Sequence, residues 1–337
     1  MNILGKEQEK IFEDGISCEE LEQRKKEFLE LYFKFRKKEE EQWYSKLTLE
    51  QRKKLHSLIL KIYKLKNKLG GFTYELIKDE RETTDRPIIY VPTHIGKFDI
   101  ENISEAIGNH YYLLSGDFEH IQGIIDAPFL AINGVFYFNE KVKEDRKQVT
   151  EKMINHLLNG GNLLYFVEGT WNLTPNLPVL PVYWGIVDIA KKTNAIIIPI
   201  GVEQYDKNFK INIGRNFDFN IYGDSYEEKT RAINDLRDTL ATLKWEIWET
   251  EKATRESLDY KVWEEYINER FAEWPGFNKA YIQSLIFRPK NVVTPKDVFE
   301  QLMNLDLENA TRDNFISKLQ IVNYAKKRVK IYEKFYF

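Results

Sequence analysis

A single cysteine, Cys18, stands in a chain of 337 residues. That scarcity excludes a disulfide framework and any metal site built on several thiolates. No run of 18 or more apolar residues occurs, so no transmembrane helix is expected. The opening MNILGKEQEKIFED lacks the basic-then-apolar layout of a signal peptide, and the expected location is the cytoplasm. Charge of one sign is also missing. Lys and Arg number 50 against 53 Asp and Glu, a net −3 that argues against a nucleic-acid partner. There is no Gly-x-Ser-x-Gly elbow, no His-Glu-x-x-His and no Walker loop. What the chain does have is enough apolar material for a core, 42% hydrophobic residues, and an aromatic share of 14%.

Three compositional zones divide the chain: a charged helical region over 1–71, a middle zone over 72–225, and a second charged helical region over 226–337. The middle zone alternates short β-rich runs with helical stretches. Strands are expected at Pro87–Val91, Tyr111–Leu114, Gly134–Phe138, Leu163–Val167, Ala195–Val202 and Lys210–Ile213, and helices at Asp99–Ile107, Arg146–Leu158 and Ile186–Lys192. Continuous apolar runs such as AIIIPIGV belong to strands covered on both faces. The fold class is therefore α/β: a mostly parallel central sheet flanked by helices, with helical extensions at both ends. Pro199 within such a run is expected at an edge or a bulge. In the last zone, Ile233, Leu236, Leu240, Leu243 and Ile247 make one apolar helix stripe, and Thr294-Pro295-Lys296-Asp297 reads as a helix start.

Chemistry concentrates in two segments. In VPTHIGKFD, residues 91–99, His94 follows the end of a β run and Asp99 opens a helix. Five residues along a helix rotate by about 140°, so the two side chains meet only if His94 sits on the loop and Asp99 in the first turn. A carboxylate on one imidazole nitrogen fixes the tautomer and leaves the other nitrogen as a base. The bland alternative is a structural His beside a helix-capping Asp. In LLYFVEGTWN, residues 163–172, Glu168 and Gly169 end a buried strand, which places a carboxylate at the sheet edge where α/β proteins bind ligands. The alternative there is a turn glycine with an exposed acid.

His94 with Asp99, then GVFYFNE from Gly134, FVEGTWN from Phe166 and IIIPIGV from Ile196 stand in one order along the chain. Together they resemble the phospholipid/glycerol acyltransferase family, which includes the lysophosphatidic acid acyltransferases, over roughly residues 72–250. The resemblance implies an acyl group moved from an acyl thioester, acyl-CoA or acyl carrier protein, to a hydroxyl acceptor, with no further cofactor. His94 is then the general base and Asp99 its orienting partner. Glu168, Gly169, Thr170, Trp171, Gly134, Lys97 and Glu140 become substrate-contacting positions, and backbone N–H groups near Gly96 or Gly169 the oxyanion donors.

The departures from the family pattern bear on the acceptor. Glu140 and Trp171 stand where the family has phosphate-binding arginines, and neither replaces a guanidinium. Lys141, Lys143 or Arg146 restores the contact only if a gap shifts the alignment. Trp171 offers a flat apolar face with one donor, suited to a sugar ring or an acyl chain. The expected acceptor is accordingly a glycan, a glycolipid or another hydroxyl compound rather than glycerol 3-phosphate. A lysophosphatidic acid acyltransferase and a catalytically degenerate scaffold remain the alternatives. Thr93 replaces the family's Asn before His and is expected to cap the next helix.

Two stretches point to an anionic membrane surface, the inner face of the membrane for a cytoplasmic protein. Residues 51–74 hold seven basic residues and no acid, with Leu55, Leu58, Ile59, Ile62, Leu65 and Leu69 at helical spacing. Residues 326–337, KKRVKIYEKFYF, mix basic and aromatic side chains. Packing on the catalytic domain is the competing reading of both. His56, His110, His120 and His156 are scattered and read as structural.

Overall fold

The structure, a computed structural model, describes residues 23, 26, 29, 30, 33, 34, 46–116, 126–139, 142–174, 177–251 and 260–273. The chain divides into two compact units, Met1–Gln51 and Arg52–Phe337. The architecture is that of the second. Its helices are α1 (Leu49–Gly70, whose first turn belongs to the other unit), α2 (Asp99–Ile107), α3 (Ala127–Asn133), α4 (Lys143–Leu158), α5 (Gly185–Thr193), α6 (Tyr226–Thr250) and α7 (Tyr260–Glu273). Its strands are β1 (Thr73–Asp79), β2 (Ile88–Pro92), β3 (Tyr112–Ser115), β4 (Val135–Tyr137), β5 (Leu163–Leu164), β6 (Ile196–Tyr205) and β7 (Asn208–Ile213).

The seven strands form one sheet in the order β1-β7-β6-β2-β5-β3-β4. Every neighbouring pair is parallel except β6 and β7. The apolar strands lie at the centre, as two-sided burial requires: Ile89, Tyr90 and Val91 of β2 and Ile197, Ile200 and Val202 of β6 are fully buried. Alternation along them feeds two cores. Ile89, Val91 and Ile197 face α4, α5 and α6, while Tyr90, Ile198 and Ile200 face α2. Each fully buried aliphatic side chain contributes about 1.5–3 kcal/mol.

Strand β1 is absent from the sequence expectation. TYELIKD carries charge at Glu75, Lys78 and Asp79 and no buried residue, because it is an outer strand with little surface to cover. Pro199 lies in an interior strand, contrary to a simple edge position. Its C=O accepts from Gly214 N–H at 2.9 Å, so its missing donor faces the β7 side. There the ladder is interrupted between Ile213 and the isolated bridge from Ile197 to Phe217, and no partner is lost.

Two helices from the charged flanking zones lie on this unit. In α6, Leu236, Leu240, Leu243 and Ile247 are buried, and the Ser225 hydroxyl caps its first turn by accepting from Glu228 N–H at 3.2 Å. In α1 the inward face is unexpectedly polar: Arg52, His56, Ile59, Tyr63 and Asn67. The Arg52 guanidinium donates to the Ala131 and Ile132 carbonyls at the end of α3, at 2.6 and 2.7 Å. Leu58, Leu65 and Leu69 consequently face outward, Leu69 being 79% exposed.

Candidate active site

The parallel strands β2, β3, β4, β5 and β6 direct their C-terminal ends to one edge of the sheet. Strand β2 hands over there to Thr93, which is fully buried. Thr93 does not cap α2. Its hydroxyl oxygen accepts from Val202 N–H at 2.9 Å and its hydroxyl meets the Val202 carbonyl at 3.3 Å, so the end of β2 is riveted to β6. His94 follows on the loop, and Asp99 is the first residue of α2, as the spacing demands. Phe98 between them takes a left-handed conformation, φ 88°, which reverses the chain sharply enough to bring the two together.

The imidazole Nδ1 of His94 lies 2.7 Å from Asp99 Oδ2. The same carboxylate oxygen accepts from the N–H groups of Ile95 and Gly96 at 3.2 and 3.3 Å. The acid is 1% exposed, whereas the His94 side chain retains 16% exposure. An acceptor-only carboxylate on Nδ1 keeps the proton there and leaves the Nε2 lone pair for chemistry. Two aromatics fix the ring. Phe166 stacks on it with centroids 3.9 Å apart and planes at 24°, and Trp171 meets it edge-on at 6.1 Å and 87°. The backbone is clamped as well, since Asn172 N–H donates to the His94 carbonyl at 2.6 Å.

Glu168 occupies a different place from the substrate-facing one expected. It is 0% exposed, and both carboxylate oxygens are taken by main-chain donors: His94 N–H at 2.9 Å and Leu180 N–H at 2.7 Å. Burial pushes its pKa up, opposed first by the Lys244 ammonium and then by those two N–H groups. Gly169, with φ 70°, packs flat under the Tyr183 ring, where a Cβ would collide. Thr170 is half-buried and Trp171 is buried, so the indole walls His94 instead of offering an open face. The expected oxyanion donors are committed: Gly96 N–H to Asp99, and Gly169 N–H to the Phe166 carbonyl at 3.0 Å.

Gly134 lies apart from this constellation. It precedes β4 and so sits at the opposite edge of the sheet, where its φ of 122° and bare Cα accommodate the Tyr112 ring. Lys97 is exposed on the His94–Asp99 loop, its Nζ 5.3 Å from the Phe98 ring. Glu140 and Lys141 lie outside the described residues, while Lys143 and Arg146 are exposed at the start of α4, beyond the same ends of the strands as His94. Among the described residues no three His, Cys, Asp or Glu side chains gather as a metal cluster.

Sequence reasoning missed Phe166, Thr93 as a rivet, and Lys244. For Phe166 no periodic signal existed, because Phe166–Gly169 is a turn past the end of β5, closed by Gly169 N–H to the Phe166 carbonyl.

Residues 74–203 match the sequence model of the family described as Acyltransferase. The chain is also similar to the crystal structure of the 1-acyl-sn-glycerophosphate (LPA) acyltransferase PlsC from Thermotoga maritima, with a TM-score of 0.47 and 18% identity, over 61% of this chain and 84% of that one. No curated protein matches it.

Proposed function

We propose that the chain, whose residues 74–203 match the Acyltransferase family model, is an acyltransferase of the phospholipid/glycerol type that moves an acyl group from an acyl thioester to a hydroxyl acceptor with His94 as general base. The observation that carries this reading is the 2.7 Å contact of His94 with a buried Asp99 at the C-terminal end of β2. Nε2 takes the proton of the acceptor hydroxyl as its oxygen attacks the thioester carbonyl. The tetrahedral intermediate expels the thiolate, the C–S bond breaks, and the imidazolium returns the proton to sulfur. Asp99 holds the tautomer and offsets the imidazolium charge. The donor is acyl-CoA or acyl carrier protein, and no covalent enzyme intermediate is required.

The proposed acceptor is a glycan, glycolipid or other hydroxyl compound. A buried indole beside His94, where the family pattern has arginine, supports this over a glycerol phosphate, because it supplies no guanidinium to hold the phosphate. Purified protein given acyl-CoA and acyl carrier protein thioesters with each acceptor class should release thiol only with its own acceptor, and His94→Ala should abolish release. Efficient turnover of lysophosphatidic acid, lost in His94→Ala, would overturn the acceptor and leave the family standing. Thioester consumption independent of His94, or none at all, would favour a scaffold.

The proposal includes work at an anionic membrane surface, on its cytoplasmic face. The outward stripe of α1 supports it: Leu58, Leu65 and Leu69 are exposed, with Lys54, Lys61, Lys64 and Lys68 exposed beside them. No helix among the described residues is long and apolar enough to cross a membrane. Residues 326–337, the other expected contact, lie outside the described residues. Co-sedimentation with anionic vesicles should be lost in Leu65→Glu/Leu69→Glu; equal binding by that variant, or none by the wild type, would remove the membrane from the reading.

A further inference from the structure

We propose that Phe72, which follows the end of α1, is a positioning residue for the His94–Asp99 pair, acting through the left-handed turn at Phe98. The inference rests on the assignment of His94 as the base. Asp99 meets His94 because the chain reverses at Phe98, whose φ is 88° and ψ 1°. In that conformation a Cβ crowds the backbone, and a residue as bulky as phenylalanine is a genuine outlier. Glycine adopts it freely. Phenylalanine holds it only where its surroundings over-determine the backbone.

Several side chains converge on Phe98. The Phe72 ring lies against its ring, with centroids 4.3 Å apart and planes at 36°. Lys66 Nζ and Lys97 Nζ stand 5.4 and 5.3 Å from the Phe98 centroid. The Asn102 amide donates to the Phe98 carbonyl at 2.7 Å. Lys97 belongs to the same loop and is exposed, and Asn102 lies one turn into α2. Restraint from outside that unit is supplied by the end of α1. Lys66 pairs with the Glu101 and Asp126 carboxylates, and the Asn67 amide donates to Asn102 Oδ1 at 3.3 Å and to Glu105 at 2.7 Å. Two consecutive residues of α1 thus grip the first turns of α2, and Phe72 closes on the turn that precedes it.

The way α1 ends fixes where Phe72 stands. Gly71, just past the helix, turns left-handed at φ 73°. Its N–H donates to the Lys68 carbonyl at 3.3 Å, and Phe72 N–H donates to the Asn67 carbonyl at 2.8 Å, the paired bonds of a Schellman ending. An apolar residue in the Phe72 position of that ending commonly packs back on the helix residue five before it. Here that residue is Asn67, already committed to α2. The ring packs across to Phe98, with Phe209 of β7 also beside it at 6.4 Å between centroids. Phe209 is fully buried in an interior strand, so Phe72 is braced by the sheet. Contacts run on from Phe98 to Asp99 and from Asp99 to His94 Nδ1. Without the clamp, the turn relaxes toward ordinary backbone and Asp99 moves off Nδ1. Misplacement by about 1 Å costs up to roughly 10²-fold in rate.

The test compares full-length wild type with Phe72→Ala, Phe98→Gly and Phe72→Ala/Phe98→Gly. In Phe72→Ala, kcat should fall on the order of tenfold with KM for donor and acceptor little changed. In the double variant, kcat should recover to the level of Phe98→Gly alone, because glycine takes the left-handed turn without a clamp. The glycine adds no packing, so recovery reports on the backbone at Phe98 and not on the ring lost at Phe72. The Nδ1 proton of His94, held against a carboxylate, gives a far-downfield proton magnetic resonance, assigned by its loss in His94→Gln. That signal should move or weaken in Phe72→Ala and return in the double variant. An unmoved signal in Phe72→Ala, or a fall in kcat that Phe98→Gly does not restore, would overturn the proposal. Should Phe72→Ala fail to fold, Phe72→Leu removes the ring while keeping most of its volume, and the same changes are expected at smaller size. The magnetic resonance result needs no turnover, so it decides the link from Phe72 to the pair even if His94 proves not to be the base.

Discussion

His94 and the trio His56, His110 and His156 occupy opposite edges of one sheet. His94 follows the end of β2. His110 and His156 lie where β3 and β5 begin, and His56 reaches them from α1, its ring 5.5 Å from that of His110. All four have a hydrogen-bond partner, but of different kinds. His94 meets an acid. His56 donates to the Asn133 side-chain oxygen at 2.7 Å, His110 to the Asn133 carbonyl at 2.8 Å and His156 to the Asn162 carbonyl at 3.1 Å. Amide oxygens orient an imidazole without bringing a negative charge to it. Burial consequently wins at this edge and drives His110 and His156 down to about 4. The same residue type is thus paired with a carboxylate at one edge, where we propose that it acts as a base, and is a neutral structural ring at the other.

The sharpest way to break the contrast is to remove a histidine at each edge. His94→Ala should lower kcat by roughly 10²–10⁴-fold with the unfolding midpoint nearly unchanged. His110→Ala should do the reverse, leaving kcat per folded molecule intact while lowering the midpoint in a denaturant titration. Should His110→Ala abolish turnover in folded protein, the division between the two edges fails.

Acid tests the same contrast by titration. For His110, the folded value of about 4 lies below the ordinary 6.5, so between those pH values the unfolded chain binds the extra proton. Its stabilising contribution is present above pH 6.5 and is lost as pH falls toward 4, amounting to about 3 kcal/mol. His156 acts with the same sign. Urea midpoints measured from pH 7 to pH 4.5 should fall accordingly, and His110→Gln should flatten the slope. An unchanged slope in that variant would mean that the proton goes elsewhere.

Gly134 extends the comparison beyond histidine. The family pattern makes it a substrate contact, but it lies at the edge where the strands begin, with Tyr112 packed against it. Gly134→Ala combines a left-handed φ with a steric collision and should destabilise by about 1–3 kcal/mol. KM for the thioester and for the acceptor should not change. A raised KM in stable protein would restore it to the binding surface.

How much of this was legible in the sequence depends on the range of the interaction. The β2–His94–Asp99 unit is local: an apolar run, a loop and a helix start within about a dozen residues, and it is this order of elements, not the five-residue spacing alone, that allows the contact. The parallel sheet followed from the same local runs. Helix α1 shows where local reading stops. Its leucine period was plain, but periodicity reports a two-sided helix and not which side faces the body. Arg52, His56 and Asn67 took the inward face because they satisfy carbonyl and amide oxygens of α3 and the Glu105 carboxylate of α2. Lys244 and Glu203 are 41 residues apart, and no pattern in the intervening chain shows that an α6 lysine ends buried against a β6 acid. Strand β1 was hidden for an energetic reason, since an outer strand needs too little apolar surface to stand out.

Phe166 provides the finest test of what poises His94. The ring stack is parallel and close, unlike the edge-on contact between His56 and His110, so it fixes the plane in which Nε2 lies without supplying a charge. Aromatic pairs of this kind are worth about 0.5–1.5 kcal/mol beyond their buried area. If that energy restrains the ring, Phe166→Leu should lower kcat by roughly two- to tenfold, far less than loss of His94, while Phe166→Tyr should keep most of it. The pH profile should not move, because no charge near His94 has changed. A shifted profile in Phe166→Leu would instead mean that the phenyl ring excludes water from the His94–Asp99 pair. The environment of the base would then be set by shielding as well as by its acid, as the buried trio is set by burial.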